Sequence, residues 1–214
     1  MVNPDSELRE LVAAIVAHDT AALDRFVSAS PHLATAAFSA GATRTEAKAN
    51  FVEAVGRYIY AGDTALHFAA AAYEAGMVRT LMAAGADVRA RNRRRDEPLH
   101  AAACGNPGSH FWNPEAQAAT IVCLVEAGAD PNAVNMDGAA PLHKAVRTRC
   151  AMAVRTLLDC GADPRQKNKS GSTPTLLARE TTGRGGSGSP EAKAQQQEIL
   201  VILDQAVNTG KRNL

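Results

Sequence analysis

Three histidines, His67, His100 and His143, are the residues best able to do chemistry in this sequence, and by type alone they could hold a metal ion. Their spacing argues otherwise. His67 and His100 stand 33 residues apart and His100 and His143 stand 43 apart, each inside a near copy of one phrase. The phrase reads Thr64-Ala65-Leu66-His67-Phe68-Ala69, then Glu97-Pro98-Leu99-His100-Ala101-Ala102, then Ala140-Pro141-Leu142-His143-Lys144-Ala145. A side chain copied once per structural unit marks a position in a repeat, so the imidazoles read as structural and no metal or cofactor is expected. Cys104, Cys123, Cys150 and Cys160 contain no CxxC pair, and their spacings of 19, 27 and 10 residues fit no zinc site. Gly183–Ser189 has the glycine content of a phosphate loop but lacks the Lys of GxxxxGK[ST], and no strand precedes it. No Ser/His/Asp set, HExxH or paired-acid motif is present, and the expectation is a protein that is not an enzyme.

The elements that carry these histidines follow from a second landmark. Gly85-Ala86-Asp87, Gly128-Ala129-Asp130 and Gly161-Ala162-Asp163 lie 43 and 33 residues apart, in step with the histidines. The interval from His to Gly is 18, 28 and 18 residues, so ten extra residues fall inside the second unit rather than between units. Each unit reads as two short helices. The first opens at the Thr-Pro-Leu-His phrase, where a proline in the first turn wastes no N–H group. The second is an apolar run, Met77–Met82, Ile121–Val125 or Val154–Leu158, ended by a glycine able to take a left-handed cap. A polar stretch such as Asn132–Gly138 then carries the chain to the next pair as a turn or hairpin. Thr173-Pro174-Thr175-Leu176-Leu177-Ala178 is a fourth, worn copy.

On these two motifs the chain resembles the ankyrin repeat family over roughly residues 60–207. The resemblance implies an all-α solenoid of stacked helix pairs with short hairpin turns, in which the hairpins and first helices form a concave binding face. It implies that each motif histidine bonds the hairpin of a neighbouring repeat. Repeats are expected at 60–92, 93–134 with an insertion about 105–113, 135–167, and 168–207 with an insertion about 181–189, followed by a tail at 208–214. Residues 1–59 read as a degenerate N-terminal repeat, with helices over Leu11–Ala17 and Thr20–Val27, and an extra helix over Glu46–Tyr58. Arg95 replaces the turn glycine that Gly62, Gly138 and Gly171 keep, and Ala206 replaces the helix-ending glycine of the last repeat, which reads as a cap.

Positions that vary in the family's repeat supply the expected partner-binding residues: Tyr60, Asp63, Arg93, Arg94, Asp96, Met136, Ala139, Arg147, Lys169, Ser172 and Glu180. A non-enzymatic, monomeric scaffold for a protein partner with an acidic patch is the first functional reading, because Arg89, Arg91, Arg93, Arg94 and Arg95 crowd one turn. The alternative is a small-anion or metabolite sensor. The two insertions leave the same edge of the stack and rejoin it through Asn113-Pro114-Glu115 and Ser189-Pro190-Glu191. They should stand on the order of 20 Å apart, and His110, Trp112, Arg147, Arg149 and Arg184 would wall a cationic groove between them. Trp112 either pins its loop or serves as an exposed anchor. A secreted effector is a third reading.

Composition bounds these choices. The chain has 214 residues, 46% apolar and only 4% aromatic, so small alanine-rich side chains must build its core. A net charge of +1 supplies no global field for nucleic acid or an anionic membrane, and the arginine turn shows no aromatic interleaving along the sequence. The polar, acidic start does not read as a signal peptide, and no run approaches the ~18 apolar residues of a membrane span. A reducing cytoplasm is the expected compartment.

Overall fold

A computed structural model describes residues 4–43, 45, 47–109, 112–180 and 190–212. Five helix pairs follow one another: α1 (Pro4–Val16) with α2 (Thr20–Ala29), α3 (Ala65–Ala71) with α4 (Ala75–Ala83), α5 (Pro98–Ala102) with α6 (Pro114–Glu126), α7 (Pro141–Arg147) with α8 (Ala151–Asp159), and α9 (Pro174–Arg179) with α10 (Pro190–Arg212). First helices pack on first helices along α1, α3, α5, α7 and α9. Second helices do the same along α2, α4, α6, α8 and α10. This is an all-α repeat solenoid.

Each rung is held by copied residues. Leu66, Leu99 and Leu142 of the first-helix phrase are buried, as are Leu81, Leu124 and Leu157 of the second helices. Ala69, Ala102 and Ala145 are also fully buried, which lets neighbouring helices approach closely. In the last repeat the phrase places Thr175 and Leu176 at the Leu and His positions, and Leu176 is 47% exposed, with no described repeat stacked on it. Gly85, Gly128 and Gly161 adopt φ of 96°, 99° and 90°, and the following alanine N–H groups reach back to Leu81, Leu124 and Leu157. This left-handed cap ends each second helix. Where Ala206 stands instead, α10 runs on to Arg212.

The expected helix over Glu46–Tyr58 is not there. Phe51–Val52 (β1) and Arg57–Tyr58 (β2) form a two-stranded antiparallel hairpin, with Phe51 opposite Tyr58 and Val52 opposite Arg57. Aromatic and β-branched residues favour this pairing, and Gly56 at φ 58° closes a turn that a helix could not accommodate.

The hairpins between repeats show a third register. Asn92, Asn135 and Asn168 each use their side-chain oxygen to accept from the N–H groups two and four residues on, at 2.9–3.1 Å. The next hairpin along adds its own backbone bond: Arg93 N–H to Ala61 O, Met136 N–H to Arg94 O, and Lys169 N–H to Asp137 O. Each turn needs one left-handed residue, supplied by Gly62, Arg95, Gly138 and Gly171. Arg95 holds φ 59° against the preference of an L side chain, a strain of about 1–2 kcal/mol. Arg95→Gly is therefore expected to stabilise the chain by about 0.5–1 kcal/mol net of unfolded-state entropy. That corresponds to roughly 2 °C in Tm by calorimetry, and an unchanged or lower Tm would refute it.

Candidate partner-binding face

The histidines fix this face in place. Thr64 N–H, Glu97 N–H and Ala140 N–H each donate to Nδ1 of His67, His100 and His143, at 3.1 Å in all three. A ring nitrogen that accepts carries no proton, so the proton sits on Nε2. Nε2–H then donates to Asp96 O at 3.0 Å, Ala139 O at 3.1 Å and Ser172 O at 3.3 Å, each in the hairpin that opens the next repeat. Burial is the main reason all three imidazoles have lowered pKa values, with His100 pushed down to about 4. They form a ladder, and among the described residues no three His, Cys, Asp or Glu side chains converge as a metal site would require.

Three of the residues expected to meet a partner are turned inward. Asp63 is fully buried and accepts from Tyr60 N–H at 2.7 Å, Arg57 Nη2 at 3.0 Å and Asn92 Nδ2 at 2.8 Å. Asp96 is 9% exposed and accepts from Asn135 Nδ2 at 2.8 Å, with Lys144 Nζ at 3.3 Å. Burial pushes its carboxyl pKa up, but Lys144 and Asn135 outweigh burial and hold it below the ordinary value. Ala139 is buried beneath the bond its carbonyl takes from His100. These three brace the face and offer no side chain to a partner.

The others line it. Met136 is 49% exposed, and Arg93, Arg147, Lys169 and Glu180 are exposed. Ser172 is half-buried, and Arg94 is half-buried and paired with Asp137 at 3.2 Å. Tyr60 lies under two guanidinium groups, Arg93 at 5.1 Å and Arg94 at 5.6 Å from its ring. Arg93 also donates to Ala42 O. Aromatic rings do therefore stand among the arginines in space, although not along the sequence. Arg57, Phe51 and Tyr58 join the same region through the β1–β2 hairpin that stands in place of the expected helix.

The inserted edge is different. His110 and Arg184 lie outside the described residues. Trp112 is half-buried and pins its loop: its indole N–H donates to Gln117 Oε1 at 2.9 Å, and Gln117 donates to Ala102 O and Cys104 O. The loop lies so close that a Cβ on Gly105 would come within 2.5 Å of Cys150 Sγ. Arg147 points outward, but Arg149 does not share an open groove with it. Arg149 is 4% exposed at φ 62°, its Nη1 is buried without a partner among the described residues, and its Nη2 makes a 3.4 Å bond to Glu180 O. All four cysteines are free, and burial raises the thiol pKa values of Cys104 and Cys150, the latter to about 12. Neither thiol is primed for nucleophilic attack.

A profile of the family described as Ankyrin repeat matches residues 61–93 and 137–169. No curated protein matches the sequence significantly. The segment between the two matches carries the insertion, yet α5, α6, His100 and Gly128 stand in register with both neighbours. The chain carries ankyrin repeats.

Proposed function

We propose that this chain is a non-enzymatic scaffold that binds a protein partner on the face made by its hairpins and first helices. Ankyrin repeats point to protein–protein interaction in general. The observation that carries the finer reading is a division of labour within each hairpin. Asn92, Asp96, Asn135 and the histidines are buried and fully bonded, while Arg93, Met136, Arg147 and Lys169 stand exposed on the frame they fix. Such a surface binds with little ordering left to do. The exposed cations favour a partner with an acidic patch, and the four free thiols fit action by a monomer in a reducing cytoplasm. Affinity capture from native lysate should retain a partner with the wild-type chain and lose it with Arg94→Glu/Lys169→Glu. Equal retention by both would move the site off this face.

A second reading, a small-anion sensor on the inserted edge, is favoured by one observation: the buried Nη1 of Arg149, which has no partner among the described residues. A buried guanidinium without a full set of acceptors favours an anion beside it. Inorganic phosphate or citrate should then raise the Tm of the wild-type chain and not that of Arg149→Ala. An equal response, or none, removes this reading.

A further inference from the structure

Resting on the scaffold reading, we infer that the β1–β2 hairpin adds an aromatic shelf to the partner-binding face, and that the segment bound there is an extended acidic peptide carrying an aromatic or long apolar side chain. The hairpin is fastened by Arg57. Its Nη2 lies 3.0 Å from Asp63, its Nη1 donates to His67 O at 3.2 Å, and its guanidinium covers the Phe68 ring at 5.0 Å. Side chains alternate along a strand, so a fastened Arg57 turns its neighbour Tyr58 to the other side. Phe51, paired across from Tyr58, goes with it, while Val52 packs against the core.

The result is an aromatic ridge fixed in the open. Phe51 and Tyr58 are 39% and 38% exposed, their rings 4.8 Å apart, and Tyr60 follows at 6.5 Å. Rings left in water by a hairpin this well anchored are surface available for burial by another chain. Beyond Tyr60 the character changes to cationic at Arg93 and Arg94, then to apolar at Met136, then to cationic at Lys169. Asp137, 57% exposed, is the acid among these tips, and Arg94 already neutralises it. The surplus charge is positive, so the complementary segment is acidic. Successive repeats step by roughly 10 Å, so the stripe from Tyr60 to Lys169 spans on the order of 30 Å, or about nine extended residues. One aromatic platform followed by single cations and a methionine suits a peptide with one bulky anchor better than a strand of stacked bases.

The test uses the full chain and labelled twelve-residue probes read by fluorescence anisotropy. The probes are a glutamate-rich peptide with one phenylalanine near an end, the same peptide with serine for phenylalanine, a lysine-rich counterpart, and a dodecathymidylate strand. The phenylalanine-bearing acidic peptide should bind best. Loss of its phenylalanine, or Tyr58→Ser in the protein, should weaken it about tenfold, and so should Arg94→Glu. The altered side chains are at least partly exposed, and matching urea midpoints will show that each variant is folded. If both acidic peptides bind alike, or Tyr58→Ser changes nothing while Arg94→Glu still weakens binding, the shelf is overturned and the scaffold reading stands. Tighter binding of the thymidylate strand replaces the peptide with a nucleic acid. Failure of every probe to bind overturns the inference, and the lysate capture then judges the scaffold reading by itself.

Discussion

Replacing His100 by alanine is expected to lower the unfolding free energy by about 4 kcal/mol, a large fraction of the stability of an ordinary domain. The ring is 1% exposed and makes two bonds of opposite sense, accepting from Glu97 N–H and donating to Ala139 O. Alanine leaves both backbone groups buried and unpaired, at about 1–3 kcal/mol each, and opens a cavity the size of the lost ring. His100 also joins the second full repeat to the third, near the middle of the stack. In a nearly one-dimensional array a broken central interface weakens the coupling of the two halves, so the transition should broaden as well as shift. Urea titrations followed by circular dichroism and by Trp112 fluorescence will show both effects. His143→Ala should cost less, because its bond to Ser172 O is longer at 3.3 Å and it lies nearer the stack's end. A loss below about 1 kcal/mol for His100→Ala would mean that the ladder is ornament and that side-chain packing alone joins the repeats.

The parts of this fold that were legible in sequence are those where one residue type meets one backbone need. Gly85, Gly128 and Gly161 recur because each second helix ends in a left-handed residue, and the histidines recur because each hairpin presents a carbonyl to the repeat before it. Asn92, Asn135 and Asn168 recur at the same intervals of 43 and 33 and were equally readable as the residues that tie each turn. Knowing them would have turned Asp63 and Asp96 inward, since Asn92 and Asn135 donate to those two carboxylates. Position in a repeat assigns a residue to a face of the backbone, and it leaves open whether the side chain bonds sideways to the next rung. The hairpin at Phe51–Tyr58 was illegible for a different reason. Its strands are only two residues each, too short for alternation to show in the sequence, and the contacts that fasten it, Arg57 with Asp63 and Phe68, lie outside the hairpin. Arg149 is expected from sequence to wall an open groove beside Arg147, whereas a left-handed backbone at the turn before α8 directs it inward.

Acid is expected to weaken the stack from about pH 6.5 downward. In the folded chain the imidazoles are neutral: burial disfavours the cation, and Nδ1 already accepts a backbone N–H and has no lone pair left for a proton. Asp96 pulls the His100 pKa upward while Lys144 pushes it down, and burial exceeds both. The folded pKa thus lies below the unfolded value of 6.5, so the unfolded chain takes up more protons. Stability from this residue is complete above pH 6.5 and is lost as pH falls toward about 4, after which the loss stops growing. For His100 alone the loss is on the order of 3 kcal/mol, and His67 and His143 are displaced in the same direction and add to it. Asp96 has its pKa lowered from 3.8, so its own contribution is lost at more acid pH than that of the histidines. Urea midpoints from about pH 7 to about pH 4 should fall steadily, and the slope should flatten in His100→Ala, which has one ladder imidazole fewer to protonate. A wild-type midpoint that holds constant over this range would show that the buried rings are not neutral acceptors, and the ladder of donors and acceptors would have to be redrawn. The same protons should release a bound partner in step, because a proton on Nδ1 expels the N–H of Thr64, Glu97 or Ala140 and so unseats the ring whose Nε2–H holds the next hairpin's carbonyl.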